Sequence, residues 1–179
     1  MRLHNEFSIP LPPAEAWVVL NDIPRVARCA PGAELVEQKD DRTFVGTISV
    51  RLGPVLLNFK GTVVYREVDE ANHRVVAQAT GNETKARGSA RAEVVFALLP
   101  ADEGSTRVQV DTDVQLAGSI AQYGRGAAVI QNTAQVIMDQ FALNFAEHLS
   151  NPDADRGSGA RAISGLGALV KGVTKTIRG

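Results

Sequence analysis

Cysteine, aromatic residues and charge of one sign are all scarce in this chain. Cys29 is its one cysteine, which excludes an intramolecular disulfide framework and any cysteine-rich metal site. The 179 residues include six Phe, two Tyr and one Trp, and the formal net charge is −1. Nucleic-acid binding needs a basic surface, often with aromatic residues for base stacking, and this composition predicts neither. We therefore expect no nucleic-acid partner.

Long apolar runs are also missing. The first residues, MRLHNEFSIPL, lack the apolar core of a signal peptide, and no stretch approaches the roughly 20 apolar residues of a membrane-spanning helix. With 44% hydrophobic and 22% charged residues, the composition is that of a globular domain. The sequence therefore predicts a cytoplasmic protein with one domain of ordinary size and a tail.

Groups suited to catalysis are few. The histidines His4, His73 and His148 fall in a strand, a turn and the end of a helix. Nothing resembles a zinc-binding helix pair, a nucleophile elbow or a phosphate-binding loop. Cys29 has the setting of a small buried hydrophobe rather than a nucleophile. The sequence predicts no catalytic residue, no metal, no covalently bound cofactor and no enzymatic activity.

Apolar residues recur with a period of two through most of the chain. The segment LHNEFSI alternates as a strand does, and PPAEAWVVLND and IPRVARCAPG follow with the composition of two short helices. Residues 33–117 alternate between short turns, which predicts six further strands paired antiparallel. After Gly118 the period is helical for about thirty residues. This order predicts an α+β fold in which a curved, about seven-stranded antiparallel sheet grips one long C-terminal helix.

The predicted inner faces carry little side-chain volume. Alternation assigns to them Phe44, Gly46, Ile48 and Val50; Val55, Leu57, Phe59, Gly61, Val63 and Tyr65; Val75, Ala77, Ala79 and Gly81; and Gly88, Ala90, Ala92, Val94 and Phe96. The helix would turn toward them a stripe of Tyr123, Ala127, Ile130, Ala134, Ile137, Phe141 and Phe145. Interiors pack densely, so a helix, a ligand or a partner must fill the missing volume. Small residues also let a helix lie close or bend a sheet, but the whole pattern favours an elongated apolar cavity.

The last 21 residues, GARAISGLGALVKGVTKTIRG, contain no acidic residue. On a helical wheel their aliphatic side chains cluster within an arc of roughly 120°, with basic side chains opposite. The aliphatic residues are Ile163, Leu166, Leu169, Val170, Val173 and Ile177, and the basic ones are Arg161, Lys171, Lys175 and Arg178. This is the pattern of a helix lying in a membrane interface, which predicts peripheral attachment to the anionic inner face of the cell membrane.

Three segments follow from these patterns. We predict that residues 1–149 form a ligand-binding domain, 150–158 a linker, and 159–179 a basic amphipathic membrane-binding tail. The glycines of the tail each cost about 1 kcal/mol in a helix, so we expect it to fold only on binding. A helix that docks on a partner protein and a merely soluble end remain the alternatives for the tail.

Several motifs of the body match a known family. The segment SIPLPPAEAWVVLNDIPRVARCAPG resembles the entry segment of the START-like, helix-grip superfamily (SRPBCC). The motifs LGPV, FKG and GSIAQYGRG are similar to those of the G-subunit (CoxG) family of carbon monoxide dehydrogenase. The resemblance covers residues 1 to about 149. It implies a large cavity between helix and sheet, and a role in bringing a molybdenum CO dehydrogenase, or a related molybdenum hydroxylase, to the membrane.

The resemblance and the tail together yield a sharper hypothesis. A soluble protein with an apolar cavity and a reversible membrane tail can extract a respiratory quinone, menaquinone or ubiquinone, or another isoprenoid lipid, and present it to the dehydrogenase as electron acceptor. The predicted ligand-binding residues are Phe44, Ile48, Phe59, Val63, Ala90, Ala92, Phe96, Ile130, Ile137 and Phe141, with Gln122 and Tyr123 as donors to the head group. If Tyr123 has that role, Tyr123→Phe should weaken quinone binding.

Other functions fit the same sequence. A recruitment adaptor would use the tail and the body without transferring a ligand. A cyclase or hydrolase of the same superfamily would act on a hydrophobic substrate and would need a polar group with a perturbed pKa in the cavity. A maturation chaperone would need no ligand. The sequence also leaves open whether the protein forms a homodimer.

Overall fold

The computed structural model describes residues 1–151, in which seven strands and three α-helices follow one another. The strands are β1 (Arg2–Ile9), β2 (Ala33–Gln38), β3 (Thr43–Leu52), β4 (Val55–Asp69), β5 (Arg74–Glu83), β6 (Gly88–Pro100) and β7 (Thr106–Gly118). The α-helices are α1 (Pro13–Leu20), α2 (Ile23–Cys29) and α3 (Ala127–Ser150), and Asp102–Gly104 and Ala121–Arg125 form short 3-10 helices. The tail and most of the predicted linker lie outside the described residues.

The strands form one antiparallel sheet in the order β1-β7-β6-β5-β4-β3-β2. Neighbours from β2 to β7 are consecutive in sequence, as short turns require. The pairing of β1 with β7 joins distant parts of the chain, with Arg2 opposite Asp113 and Ile9 opposite Thr106. The predicted α+β fold, with two short helices after the first strand and a long C-terminal helix, is confirmed.

Each short helix has a proline in its first turn. Pro13 stands in the first turn of α1 and Pro24 in that of α2, where a missing N–H costs nothing. The side chain of Asp22 caps α2 by accepting a hydrogen bond from the Arg25 N–H at 3.3 Å. Trp17 of α1 is buried, and its ring centroid lies 5.4 Å from that of His73 in the β4–β5 turn. The short helices therefore close this end of the sheet.

The long helix begins later than the periodicity predicts. Residues 121–125 form a separate 3-10 helix, and α3 starts at Ala127 after Gly126, whose backbone is not helical. The periodicity places Tyr123 on the apolar stripe of the long helix, but the residue lies in the preceding 3-10 segment. Glycine on either side of Arg125 explains the break, because glycine favours a helix less than any residue except proline.

Two glutamines attach α3 to the free edge of β1. Gln131 Nε2 donates to the carbonyl of His4 at 2.7 Å, and the His4 N–H donates to Gln131 Oε1 at 3.2 Å. Gln135 Nε2 donates to the carbonyl of Glu6 at 2.9 Å, and Gln135 Oε1 accepts from Asn5 Nδ2 at 2.9 Å. The side chains of the helix thus replace the hydrogen-bonding strand that an edge lacks.

The buried core fills one half of the space between the sheet and α3. Its centre is the ring of Phe141, 5.3 Å from that of Phe7 and 5.5 Å from that of Phe145. The buried cluster consists of Phe7, Ile9, Ala16, Trp17, Cys29, Val75, Leu98, Val108, Val110, Phe141 and Phe145. These residues lie toward the end closed by α1 and α2, and we call this region the packed half.

Two glycines that pair across β4 and β5 have opposite surroundings. A Cβ atom on Gly61 would lie 2.0 Å from the carbonyl oxygen of Thr80 and 2.7 Å from Cα of Gly81. A Cβ atom on Gly81 would meet Cβ of Phe59 at an ordinary 3.5 Å. The absent side chain of Gly61 therefore lets two strands approach closely, whereas Gly81 borders space that a side chain can enter.

These two glycines should differ in their tolerance of a methyl group. We expect Gly61→Ala to lower the free energy of unfolding by about 2 kcal/mol, because the β5 backbone must move. Gly81→Ala should raise the free energy of unfolding by less than about 1 kcal/mol, because alanine lowers the conformational entropy of the unfolded chain. Urea unfolding followed by circular dichroism measures both values. Equal losses in the two variants would contradict the close approach at Gly61.

Candidate functional site: an open apolar space beneath the long helix

Inward-facing side chains form rows across the sheet, and two of these rows remain partly exposed except at the buried Phe44. The cross-strand register gives one row as Phe44, Val63, Ala79, Ala92 and Val114, and the next as Gly46, Gly61, Gly81, Ala90 and Leu116. The partly exposed inward residues form a region that we call the open half. They are Ile48, Phe59, Val63, Ala79, Gly81, Ala90, Ala92, Val114 and Leu116. Inward apolar side chains keep solvent contact only where nothing packs fully on them, so this part of the inner face is left incompletely covered beside the first half of α3.

The open half contains little side-chain volume because its central strands, β5 and β6, carry alanine and glycine there. Ala79 lies opposite Ala92, and Gly81 lies opposite Ala90, across the β5–β6 pair. The main contacts of α3 are with β1, and smaller sets reach α2 and β3. The helix is therefore held at one edge of the sheet, over central strands whose side chains are too short to fill the gap.

Most predicted ligand-binding residues lie on the inner face. The strands place Phe44, Ile48, Phe59, Val63, Ala90, Ala92 and Phe96 there. Ile130 and Ile137 are half-buried and precede Phe141 on the same helical stripe. Phe141 belongs to the packed half, and Phe96, opposite Val75, packs against it. Most of the predicted ligand-binding residues thus lie around the open half, whereas Phe96 and Phe141 lie in or against the packed half.

The open half faces the end of the sheet where α3 begins. Since neighbouring strands are antiparallel, the β3–β4 hairpin, the β5–β6 loop and the segment after β7 share this end. Ile120 is fully buried there, and a Cβ atom on Gly88 would lie 2.7 Å from its Cγ1. The contact fixes residues 121–125 beside the β5–β6 loop, and together they border the mouth of the space.

Glu83 organises the β5–β6 loop at this mouth, a role that alternation alone does not indicate. Its carboxylate accepts backbone hydrogen bonds from Asn58 at 3.1 Å, from Lys85 at 2.7 Å and from Ala86. The bond from Asn58, followed by those from the loop amides, lowers the pKa of Glu83 below its ordinary 4.5. A buried carboxylate therefore ties the loop to β4.

Among residues 1–151, few polar side chains border the open half besides that of Glu83, which lies opposite Phe59. Gln122 is exposed, and Tyr123 is half-buried in the 3-10 helix at the rim. Tyr65 of β4 faces inward opposite Ala77, and its ring centroid lies 5.3 Å from that of Phe44. Burial raises the pKa of Tyr65 to about 12. Alternation places Tyr65 on the inner face but gives no reason to assign it to the ligand.

A separate depression of about 390 Å³ lies on the outer face of the sheet, and the sequence did not predict it. Its lining includes Thr62, Thr80, Asn82, Ser89, Arg91 and Gln115, which alternate with the inward residues. These polar side chains, opposite one another across β4 to β7, are the sequence feature that could have indicated it. Gly61, Gly81, Ala90 and Ala117 complete its lining, so the depression combines polar side chains with small apolar residues.

The ionisable cluster around His4 lies on the outer face of the sheet edge, away from the open half. His4 Nδ1 lies 2.7 Å from Asp111 Oδ1 and His4 Nε2 lies 3.4 Å from Glu6 Oε1, all three side chains being substantially exposed. The hydrogen bond to Asp111, then that to Glu6, raises the pKa of His4. Among residues 1–151, no three His, Cys, Asp or Glu side chains come together as metal ligands. No helix of the described region is long and apolar enough to span a bilayer.

Comparison with known proteins identifies both the family and the fold. The family model for the G subunit of carbon monoxide dehydrogenase (CoxG) matches residues 6–150. No functionally curated sequence matches the chain. A conserved protein from Geobacillus kaustophilus superposes with a TM-score of 0.70 at 14% identity, over 84% of this chain and 95% of its own.

Two further solved structures share the fold. The protein TTHA0849 from Thermus thermophilus gives a TM-score of 0.60 at 16% identity, over 86% of this chain and 99% of its own. The ZhuI aromatase/cyclase from Streptomyces sp. R1128 gives a TM-score of 0.57 at 10% identity, over 84% of this chain and 93% of its own. At these identities the likeness concerns the fold alone, and it confirms the helix-grip arrangement.

Two alanines test whether the open half is truly unfilled. Ala77 is 1% exposed, so Ala77→Leu should overpack the interior and lower the free energy of unfolding by about 1–3 kcal/mol. Ala92→Leu should lower it by less than about 1 kcal/mol, because the added methyl groups enter open space, yet it should weaken binding of an apolar fluorescent probe. Urea unfolding and probe titration measure these effects. If Ala92→Leu is as damaging as Ala77→Leu, the space is already occupied.

Glu83 should make part of the stability depend on pH. Its pKa is lower in the folded state, so its contribution is complete above the ordinary value of 4.5 and is lost as the pH falls through the folded pKa. We expect Glu83→Gln to be less stable than wild type at neutral pH, with the difference shrinking below pH 4.5. Denaturant midpoints across this range test it, and a difference independent of pH would show that the carboxylate charge is irrelevant.

Proposed function

The chain belongs to the G-subunit (CoxG) family of carbon monoxide dehydrogenase, and on that basis we propose that it carries a respiratory quinone between the membrane and a molybdenum CO dehydrogenase. The single observation that carries the proposal is the partly exposed, inward-facing apolar surface of the open half. Family membership and the helix-grip fold suggest a hydrophobic-ligand-binding role. The name of the family links it to carbon monoxide dehydrogenase.

The chemistry of the open half suits an isoprenoid chain. Its strand residues are aliphatic, aromatic or glycine, and Ile130 and Ile137 lie on the stripe above them. Removing apolar surface from water contributes roughly 25 cal/mol per Å², so a flexible hydrocarbon chain gains most where such a surface is already uncovered. Menaquinone and ubiquinone both supply that chain, together with a redox-active ring that accepts electrons.

The tail supplies the proposed membrane contact. Its basic residues Arg161, Lys171, Lys175 and Arg178 each contribute about 1 kcal/mol near an anionic leaflet, and its aliphatic residues add apolar burial. Such a total favours reversible attachment over permanent anchoring. The protein would then act at the cytoplasmic face of the membrane and leave it with its cargo.

The direction of α3 affects how the tail and the mouth cooperate. The helix begins at the mouth and ends at Ser150 beside the packed half, so the tail is attached at the closed end. Residues 151–158 span at most about 28 Å when extended. The body can therefore turn its mouth toward the bilayer or toward the dehydrogenase while the tail stays bound.

The proposed function predicts a co-purifying quinone that depends on the tail. We expect organic extraction and native mass spectrometry of the protein from its own host to show menaquinone or ubiquinone, because the open half favours an apolar chain. A variant truncated after residue 156 should carry much less, because it cannot load at the membrane. Flotation with anionic liposomes should recover the full-length protein and not the truncated one.

A charge-matched pair separates membrane contact from general charge effects. Changing Arg161, Lys171, Lys175 and Arg178 to Gln should reduce flotation and quinone content, whereas the same change at four exposed cations of the body away from the mouth, Lys39, Arg42, Arg66 and Arg107, should leave both intact. A full-length protein that floats but never holds a quinone would leave only the recruitment adaptor. A protein that neither floats nor holds a ligand would point to a protein partner for the tail.

A further inference from the structure

Tyr65 stands at the boundary between the packed half and the open half. Its row across the inner face continues through Ala77 and Val94 to Thr112. The next row on one side, Val75, Phe96 and Val110, belongs to the packed half or packs against it. The next row on the other side contains Val63, Ala79 and Ala92 of the open half. Tyr65 therefore lies at the floor of the open space.

The hydroxyl of Tyr65 lacks a hydrogen-bond partner within residues 1–151, although the ring packs against the core and meets Phe44 edge-on. Every fully enclosed side-chain nitrogen or oxygen of this region has a partner, so the Tyr65 hydroxyl is not fully enclosed and borders open space. Burial of the side chain raises the pKa to about 12, so the phenol stays neutral and able to donate across the physiological pH range. The hydroxyl is therefore an accessible donor on a mostly buried side chain, which a ligand oxygen entering the open half could use with little competition from water.

Other polar side chains buried beside the sheet do have partners. Asn5 Nδ2 donates to Gln135 Oε1 at 2.9 Å, and Thr106 Oγ1 donates to the carbonyl of Leu11 at 2.7 Å. These bonds attach α3 and the segment before α1 to the sheet, so they serve the fold. Tyr65 is different because its hydroxyl bonds to none of residues 1–151 and keeps some accessible surface.

We propose that the Tyr65 hydroxyl donates a hydrogen bond to an oxygen at the leading end of the bound ligand. The inference rests on the proposed function, in that the open half must hold an apolar molecule. It adds the orientation: the oxygen-bearing ring enters first and stops at the floor, and the hydrocarbon chain extends between Phe59 and Ile130 toward the mouth. The ligand class is accordingly a long-chain molecule with a carbonyl or hydroxyl group at one end.

The alternative donors define the opposite orientation. Tyr123 and Gln122 lie at the rim, and Gln122 is exposed to water, where a hydrogen bond to a ligand competes with solvent. A ring held at the rim would place the chain at the floor, against the unpaired hydroxyl of Tyr65. A ring held at the floor satisfies that hydroxyl and leaves the chain against apolar side chains.

The test compares Tyr65→Phe with Tyr123→Phe in the full-length protein, using two probes of similar chain length. Decylubiquinone carries ring carbonyl oxygens and dodecylbenzene carries none. We expect Tyr65→Phe to weaken decylubiquinone binding about five- to tenfold, the value of one hydrogen bond, and to leave dodecylbenzene binding unchanged. Tyr123→Phe should change neither. Without ligand, the thermal midpoint of Tyr65→Phe should equal or exceed that of wild type, because the removed hydroxyl bonds to no described residue.

Each outcome has a distinct meaning. Loss of decylubiquinone affinity in Tyr65→Phe alone, with stability retained, supports the orientation. Unchanged affinity in Tyr65→Phe, or a loss confined to Tyr123→Phe, overturns the orientation while wild-type binding keeps the carrier function. Equal weakening of both probes in Tyr65→Phe assigns the residue to packing and also overturns the inference. If wild type binds neither probe, the carrier function itself fails.

Discussion

The attachment of α3 to the edge of β1 determines what the rest of this molecule can do. Gln131 and Gln135 hold the helix along that edge through four hydrogen bonds to His4, Asn5 and Glu6. A helix fixed at one edge does not descend onto the central strands, and the sheet must curve to meet it elsewhere. The space between is then filled by large side chains or left uncovered. In this chain, large side chains fill the space at the end closed by α1 and α2, and the space at the other end is left uncovered.

The two halves divide stability from binding. In the packed half, Phe7, Phe141 and Phe145 interlock above Val75 and Val110, which provides the dense interior that folding requires. In the open half, the alanine and glycine residues of β5 and β6 are too small to fill the interior. A domain can leave such a surface uncovered only because the other half stabilises the fold. The hydroxyl of Tyr65, which bonds to none of residues 1–151, lies where the halves meet, and in our proposal it is the bound ligand that pairs with it.

Sequence periodicity predicted the strands, their inward faces and the long helix, because those properties depend on neighbouring residues. It did not predict the role of Gln131, whose partner His4 lies 127 residues away, nor that of Glu83, which bonds to an amide in another strand. It extended the helix through Tyr123 because apolar spacing continues there while the backbone does not. Alternation alone also gave Tyr65 the same status as Val63, since the absence of a hydrogen-bond partner is a property of the assembled interior.

A donor at the floor has a consequence for how a lipid moves between a bilayer and the protein. When the oxygen-bearing ring enters first, the hydrocarbon chain follows and remains in apolar surroundings, with part in the bilayer and part in the open half. Exposing that chain to water would cost about 0.8 kcal/mol for each methylene group, which adds up over an isoprenoid. Entry in the opposite order would require the chain tip to leave the bilayer before the cavity could shield it. The order of entry and the position of Tyr65 are thus two aspects of one requirement, that the chain never crosses water.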